Sequence, residues 1–109
     1  LNNAEGNVVL SSSKEQALAG ANIVTTDVWT SMDSEHNTKS RKKLFKDFYV
    51  DEESMLEAAE GAIFLHCLPA HRGEEISFTM LDHSSSKVWD QAENRMHIQQ
   101  SILESLIQN

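Results

Sequence analysis

The sequence is poor in the residues that build special scaffolds. It has one cysteine, Cys67, which rules out an internal disulfide and a four-cysteine zinc site. No apolar run approaches the roughly 18 residues of a membrane span, so no membrane association is expected. Leu1–Gly6 carry no basic-then-apolar leader pattern, and nothing in the sequence argues for secretion. Positive charge is scarce: nine Lys and Arg stand against 17 Asp and Glu, a net charge of −8, which argues against nucleic acid as a partner. Internal repeats and low-complexity tracts are absent.

The 109 residues that are present amount to one domain or part of one. With 39% hydrophobic and 24% charged residues, the composition is that of a folding chain rather than a disordered one. The chain starts at Leu1, without an initiator Met, and runs straight into the apolar Val8-Val9-Leu10, so it reads as a piece cut from a larger fold.

Val8–Leu10 is a short β-branched run and reads as a weak strand. Ser13, with Gln16 three residues on, fits a capping box, opening a helix over 14–19 closed by Gly20. Residues 21–26 read as a buried strand ending at Asp27, and residues 30–37 as a polar loop. A helix is expected from about Thr38 to Phe48, with Leu44, Phe45 and Phe48 as its apolar stripe. Asp51-Glu52-Glu53 opens another that ends at Gly61. Ala62–Leu65 is the clearest strand; it leads into His66-Cys67-Leu68-Pro69, where Pro69 stops the ladder. Residues 74–81 read as helical and 87–89 as strand-like. An amphipathic helix closes the chain from Ala92 to Ile107.

Strands that are continuous apolar runs, alternating with helices, predict an α/β fold: a Rossmann-like parallel sheet flanked by helices. In such sheets ligand groups gather at the carboxyl ends of the strands. Asp27, His66 and Cys67 stand at those ends.

Each of these residues has a plain reading beside the functional one. A lone cysteine is commonly a small buried hydrophobe; here His66 and Arg72 nearby could favour a thiolate. A metal reading on His66, Cys67 and His71 matches no strong zinc spacing. Asp27 is either a turn carboxylate or a partner for a ligand ammonium. Ser31 and Met32 would ordinarily be loop residues. Arg95, in Glu93-Asn94-Arg95, is either a surface cation or a planar fork suited to phosphate or a polarised carbonyl. The basic run from Lys39 to Lys46 reads as a solvated helix face.

Three segments resemble the C-terminal part of the ornithine carbamoyltransferase family. Asp27-Val28-Trp29-Thr30-Ser31-Met32 is similar to its Asp-x-Trp-x-Ser-Met-Gly loop, His66-Cys67-Leu68-Pro69 to its catalytic segment, and Glu93-Asn94-Arg95 to its Glu-Asn-Arg helix start. Aspartate carbamoyltransferases share the fold but carry Pro where Cys67 stands. The resemblance implies transfer of the carbamoyl group of carbamoyl phosphate to the side-chain amine of L-ornithine, giving L-citrulline and phosphate. It implies that Asp27, Ser31 and Met32 hold the amino-acid end of ornithine. Cys67, near-thiolate in the complex, and the Leu68 carbonyl would receive its side-chain amine, while His66 and Arg95 polarise the carbamoyl oxygen. Neither a metal nor an organic cofactor is implied. The parent would be a homotrimer, cytoplasmic or in the mitochondrial matrix or a plastid.

Two departures qualify these expectations. Asp33 stands where the family has Gly, a poorer residue for positive φ and loop closure. The family's Ser-Thr-Arg-Thr phosphate motif has no counterpart, so residues 1–109 would be an incomplete ornithine-binding domain without its carbamoyl-phosphate domain. Such a chain is expected to be inactive alone, and marginal or self-associating through exposed apolar edges. The alternatives are a carbamoyltransferase for another amine, putrescine or an acylated ornithine, and a non-catalytic relic serving as an interaction module.

Overall fold

A computed structural model describes residues 7–30 and 38–108. Its elements run α1 (Lys14–Leu18), β1 (Ile23–Thr26), α2 (Thr38–Phe45) continued by a 3₁₀ turn (Lys46–Phe48), α3 (Glu52–Glu57), β2 (Ile63–His66), a second 3₁₀ turn (Met80–Asp82) and α4 (Val88–Ile107). β1 and β2 pair in parallel with Ile23 opposite Ile63 and Thr26 opposite His66. The fold is α/β, a small parallel sheet flanked by helices, as the alternation of apolar runs predicts.

Local chemistry explains the helix starts. The Ser13 hydroxyl accepts the Gln16 N–H, while the Gln16 side chain turns to Ser11 instead of closing the box. α3 has the full box: Asp51 accepts the Ser54 N–H at 2.9 Å and the Ser54 hydroxyl accepts the Asp51 N–H. Lys14 Nζ then donates to Ser54 Oγ and the Tyr49 carbonyl, each at 3.1 Å, tying α1 to α3. Asp51→Ala removes the cap and should cost ~1 kcal/mol in denaturant unfolding, while Asp47→Ala, on the exposed 3₁₀ turn, should cost little.

The core gathers on one sheet face. Val24 and Phe64 lie opposite each other and pack with Ile76, Met80, Leu81 and Val88, all buried. The other face carries Ile23, 57% exposed, and nothing among the described residues seals it. α4 touches the body along its first two turns, through Gln91 and Arg95, yet of its twenty residues only Val88 is buried. Its amphipathic stripe is real in sequence, but Met96, Ile98, Leu103 and Leu106 face solvent. None of the helices among the described residues is long and apolar enough to cross a membrane.

Four expected elements differ. Val8–Leu10 are exposed and lie in no strand, having no ladder partner among the described residues. Residues 74–81 are not a helix. Gly73, at φ +85°, turns the chain, the Val50 N–H donates to the Glu75 carbonyl and the Ser77 N–H donates to the Val50 carbonyl. Glu75, Ile76 and Ser77 are buried in succession, a pattern for a chain threading the core rather than a helix face. Residues 87–89 are not a strand: a single bridge joins Ser86 to Phe64, and α4 starts at Val88, four residues earlier than expected. The stripe on α2 is largely uncovered, although Phe45 stacks on Trp29 with centroids 6.5 Å apart.

Candidate functional site

The parallel register creates the site. Because Thr26 faces His66 across the ladder, the residues that follow each strand, Asp27 and Cys67, emerge side by side. The Cys67 thiol donates to Asp27 Oδ1 at 3.1 Å, and the same oxygen accepts the Val28 N–H at 2.7 Å. From α4, the Arg95 guanidinium reaches the Cys67 carbonyl at 3.5 Å. Between this segment and α4 lies an open cleft of about 600 Å³ lined by Cys67, Leu68, Ala92, Arg95, Met96 and Leu103. Asp27, Cys67, Leu68 and Arg95, distant in sequence, therefore share one locality. Ser31 and Met32, with Asp33, lie outside the described residues.

His66 does not join them. Alternation along β2 turns its side chain to the Phe64 face, where it is fully buried. Its Nδ1 accepts the Leu68 N–H at 2.9 Å, and its Nε2 lies 3.4 Å from Glu75 Oε1. In this arrangement the ring is enclosed between the Leu68 N–H and Glu75 and does not line the cleft beside α4. Leu68 follows in the left-handed region, at φ +57°. Its side chain packs on the core, while the Cys67 thiol before it is exposed. Two residues that the sequence did not single out hold this turn: Glu75, and Gln91, whose side chain accepts the His66 N–H at 3.0 Å. Neither carries a sequence signal, since both act through tertiary contacts.

The electrostatics oppose a resting thiolate. The hydrogen bond to the Asp27 carboxylate, then burial, push the Cys67 thiol above its ordinary pKa. The thiol and the Val28 N–H hold Asp27 below the usual carboxylate range. Arg72 does not favour a thiolate: it pairs with Asp82 at 2.9 Å and donates to the Phe78 carbonyl. The S–H···O⁻ bond thus stabilises the fold above the unfolded carboxylate pKa, is lost as pH falls through the depressed Asp27 value, and fades as pH rises through the elevated Cys67 value. Because Cys67 is the sole cysteine, iodoacetamide reads it directly. Its alkylation midpoint should lie above that of the unfolded chain and drop in Asp27→Asn. An unmoved midpoint in that variant would show that the carboxylate does not hold the thiol.

A metal set built on His66, Cys67 and His71 does not form, because His66 and Cys67 point to opposite sides of the strand end. Among the described residues, His71, Glu74 and Glu75 do bring donor atoms within 4.8 Å. Lys42 already pairs with Glu74 at 2.5 Å, and Glu75 faces His66 and His71.

The chain is similar throughout to known proteins. A family profile described as aspartate/ornithine carbamoyltransferase, Asp/Orn binding domain, matches residues 1–106. An ornithine carbamoyltransferase of Acinetobacter baumannii is 51% identical over 100 residues, covering 92% of this chain and 33% of that protein. The solved ornithine carbamoyltransferase of Pyrococcus furiosus superposes with a TM-score of 0.76 at 43% identity, over 84% of this chain and 29% of that one. An anabolic ornithine carbamoyltransferase from Campylobacter jejuni gives 0.82 at 35% identity, over 90% and 32%. The chain spans about a third of the length of the relatives it matches.

Proposed function

The chain belongs to the aspartate/ornithine carbamoyltransferase family, and on that premise we propose that it is the ornithine-binding part of an enzyme that carbamoylates the side-chain amine of L-ornithine, giving L-citrulline and phosphate. The observation that carries this reading is the meeting of Asp27, Cys67 and Arg95 at the strand ends, beside an open cleft.

The reaction needs an uncharged amine, a polarised carbonyl and a fixed approach. The Asp27 carboxylate receives the α-ammonium of ornithine, drawing it away from the Cys67 thiol. Freed of that bond, the Cys67 thiol beside Arg95 loses its proton to solvent more readily, and the resulting thiolate accepts a proton from the side-chain ammonium. The Leu68 carbonyl accepts from the same nitrogen. The amine then attacks the carbamoyl carbon, the carbonyl electrons move to oxygen under the pull of Arg95, and the tetrahedral adduct expels phosphate. The carbon–nitrogen bond forms first, the carbon–oxygen bond breaks as the adduct collapses, and the departing phosphate takes the extra proton from the attacking nitrogen. No acyl-cysteine forms. Ser31 and Met32 hold the amino-acid end of ornithine from the loop.

The phosphate cradle and the carbamoyl-phosphate domain belong to the rest of a longer polypeptide, as the length of the relatives suggests. The test is citrulline formation from carbamoyl phosphate and L-ornithine, by that longer polypeptide and by residues 1–109 alone. The longer one should turn over; the shorter one should not. A longer polypeptide that makes no citrulline, or that accepts putrescine as readily, overturns the assignment.

A further inference from the structure

The Cys67–Leu68 segment is held from inside the molecule, and we infer that Glu75 is a positioning residue for it, acting through the His66 imidazole. For catalysis this rests on the reading above; the geometry and its tests do not.

Leu68 is a branched residue at φ +57°, a conformation that persists only when the surroundings impose it. What imposes it is visible. The Leu68 N–H points back to His66 Nδ1 at 2.9 Å, across the cysteine between them. A nitrogen that accepts that bond carries no proton, so the neutral ring must carry its proton on Nε2. Nε2 lies 3.4 Å from Glu75 Oε1, within ion-pair distance though no hydrogen bond is closed, and no other polar group partners it. Both side chains are fully buried, where a carboxylate facing an imidazole N–H is a strong determinant of tautomer.

Glu75 is itself anchored. Its Oε1 accepts the His71 N–H at 2.5 Å, its Oε2 lies 3.7 Å from His71 Nδ1, and its backbone carbonyl accepts the Val50 N–H at 2.9 Å. The carboxylate therefore clamps both ends of residues 66–71, directly at His71 and through the ring at Leu68. Cys67 stands between the clamps. With His66 in the other tautomer, an Nδ1–H would face the Leu68 N–H, two donors together; the turn would open, carrying Cys67 away from Asp27 and the Leu68 carbonyl away from the cleft.

Two measurements on the chain itself test this without requiring activity. Nitrogen-15 NMR of the unaltered protein at neutral pH should show His66 as the Nε2–H tautomer with a bare Nδ1. An Nδ1–H tautomer, or an imidazolium, overturns the proposal. The second uses the Cys67 alkylation midpoint. Glu75→Gln should lower it by about half a pH unit as the thiol leaves Asp27. His66→Asn keeps an acceptor near the Nδ1 position but has no ring to orient. It should therefore retain a near-native midpoint, and adding Glu75→Gln should move it no further. A Glu75→Gln chain that melts cooperatively with a native midpoint overturns the proposal, as does an equal shift in the His66→Asn background. Should Glu75→Gln fail to fold, the tautomer of the unaltered protein decides. Loss of citrulline formation with these results intact would count against the carbamoyl-transfer reading alone.

Discussion

Cys67→Ser in the longer polypeptide is expected to lower kcat for citrulline formation by about 10²–10³-fold and to raise KM for ornithine. Serine preserves the shape of the site. Its hydroxyl can still donate to Asp27 Oδ1, where the thiol now sits at 3.1 Å, so the turn from His66 to Leu68 should stay in place. What it cannot do is take a proton near neutral pH, because an alcohol released from the carboxylate remains far too weak an acid to supply its anion. The substitution therefore separates placement of the amine from its deprotonation. Initial rates across pH give the check: the native profile should rise as the ornithine ammonium and Cys67 lose protons, and the serine variant should rise only at higher pH, where ornithine deprotonates unaided. An unchanged kcat with a raised KM would reduce Cys67 to a binding group. An unchanged pair would remove it from the mechanism.

Much of this site is legible in the sequence, for a definite reason. The apolar runs at 21–26 and 62–65 reveal two strands, each buried on one face only, and polar residues that follow such strands fall at their carboxyl ends by the geometry of a parallel sheet. Asp27 and Cys67 are found that way. Their contact is not, because it depends on Thr26 facing His66, and nothing in either run sets that register; a slip of one residue would face Asp27 with His66. His66 shows the same limit. Its neighbours Ile63, Phe64 and Leu65 are all apolar, so the strand offers no alternation from which to read which way the histidine turns.

Glu75 fails differently. A charged residue in a stretch of mixed polarity reads as a helix surface, and the segment 74–81 does approximate helical spacing. The decisive facts are the turn at Gly73 and the backbone bonds to Val50, a partner 25 residues earlier than Glu75, which no local pattern announces. α4 fails in the opposite sense. Its stripe of Met96, Leu103 and Leu106 reads as the apolar face of an amphipathic helix, yet within the described residues it stays more than half exposed. Amphipathicity fixes which side chains share a face, not whether the same chain covers that face.

That uncovered surface makes the small core decisive, and Phe64→Ala should have the largest effect on folding. Phe64 has no exposure and sits at mid-strand in β2, opposite Val24 and beside Ile76, Met80 and Val88. Its backbone is equally committed: its N–H donates to the Ser85 carbonyl and its carbonyl accepts the Lys87 N–H, each at 2.9 Å, joining the sheet to the start of α4. Truncation to alanine removes the ring and leaves a cavity that a two-stranded sheet with one sealed face has little means of collapsing; such changes cost about 3–5 kcal/mol. Small domains rarely hold more than about 5 kcal/mol in reserve from a single core, so the variant should lose its cooperative thermal transition altogether. Leu56→Ala is the control. Leu56 belongs to α3 but is 85% exposed, and its loss should change stability by no more than about 0.5 kcal/mol. Circular dichroism melts of the two variants beside the unaltered chain give the comparison. A Phe64→Ala protein that melts as sharply and as late as the Leu56→Ala protein would place the stabilising core elsewhere. With Phe64 lost, Asp27 and Cys67 should separate as well, since the ladder that sets them side by side runs through the strand it anchors.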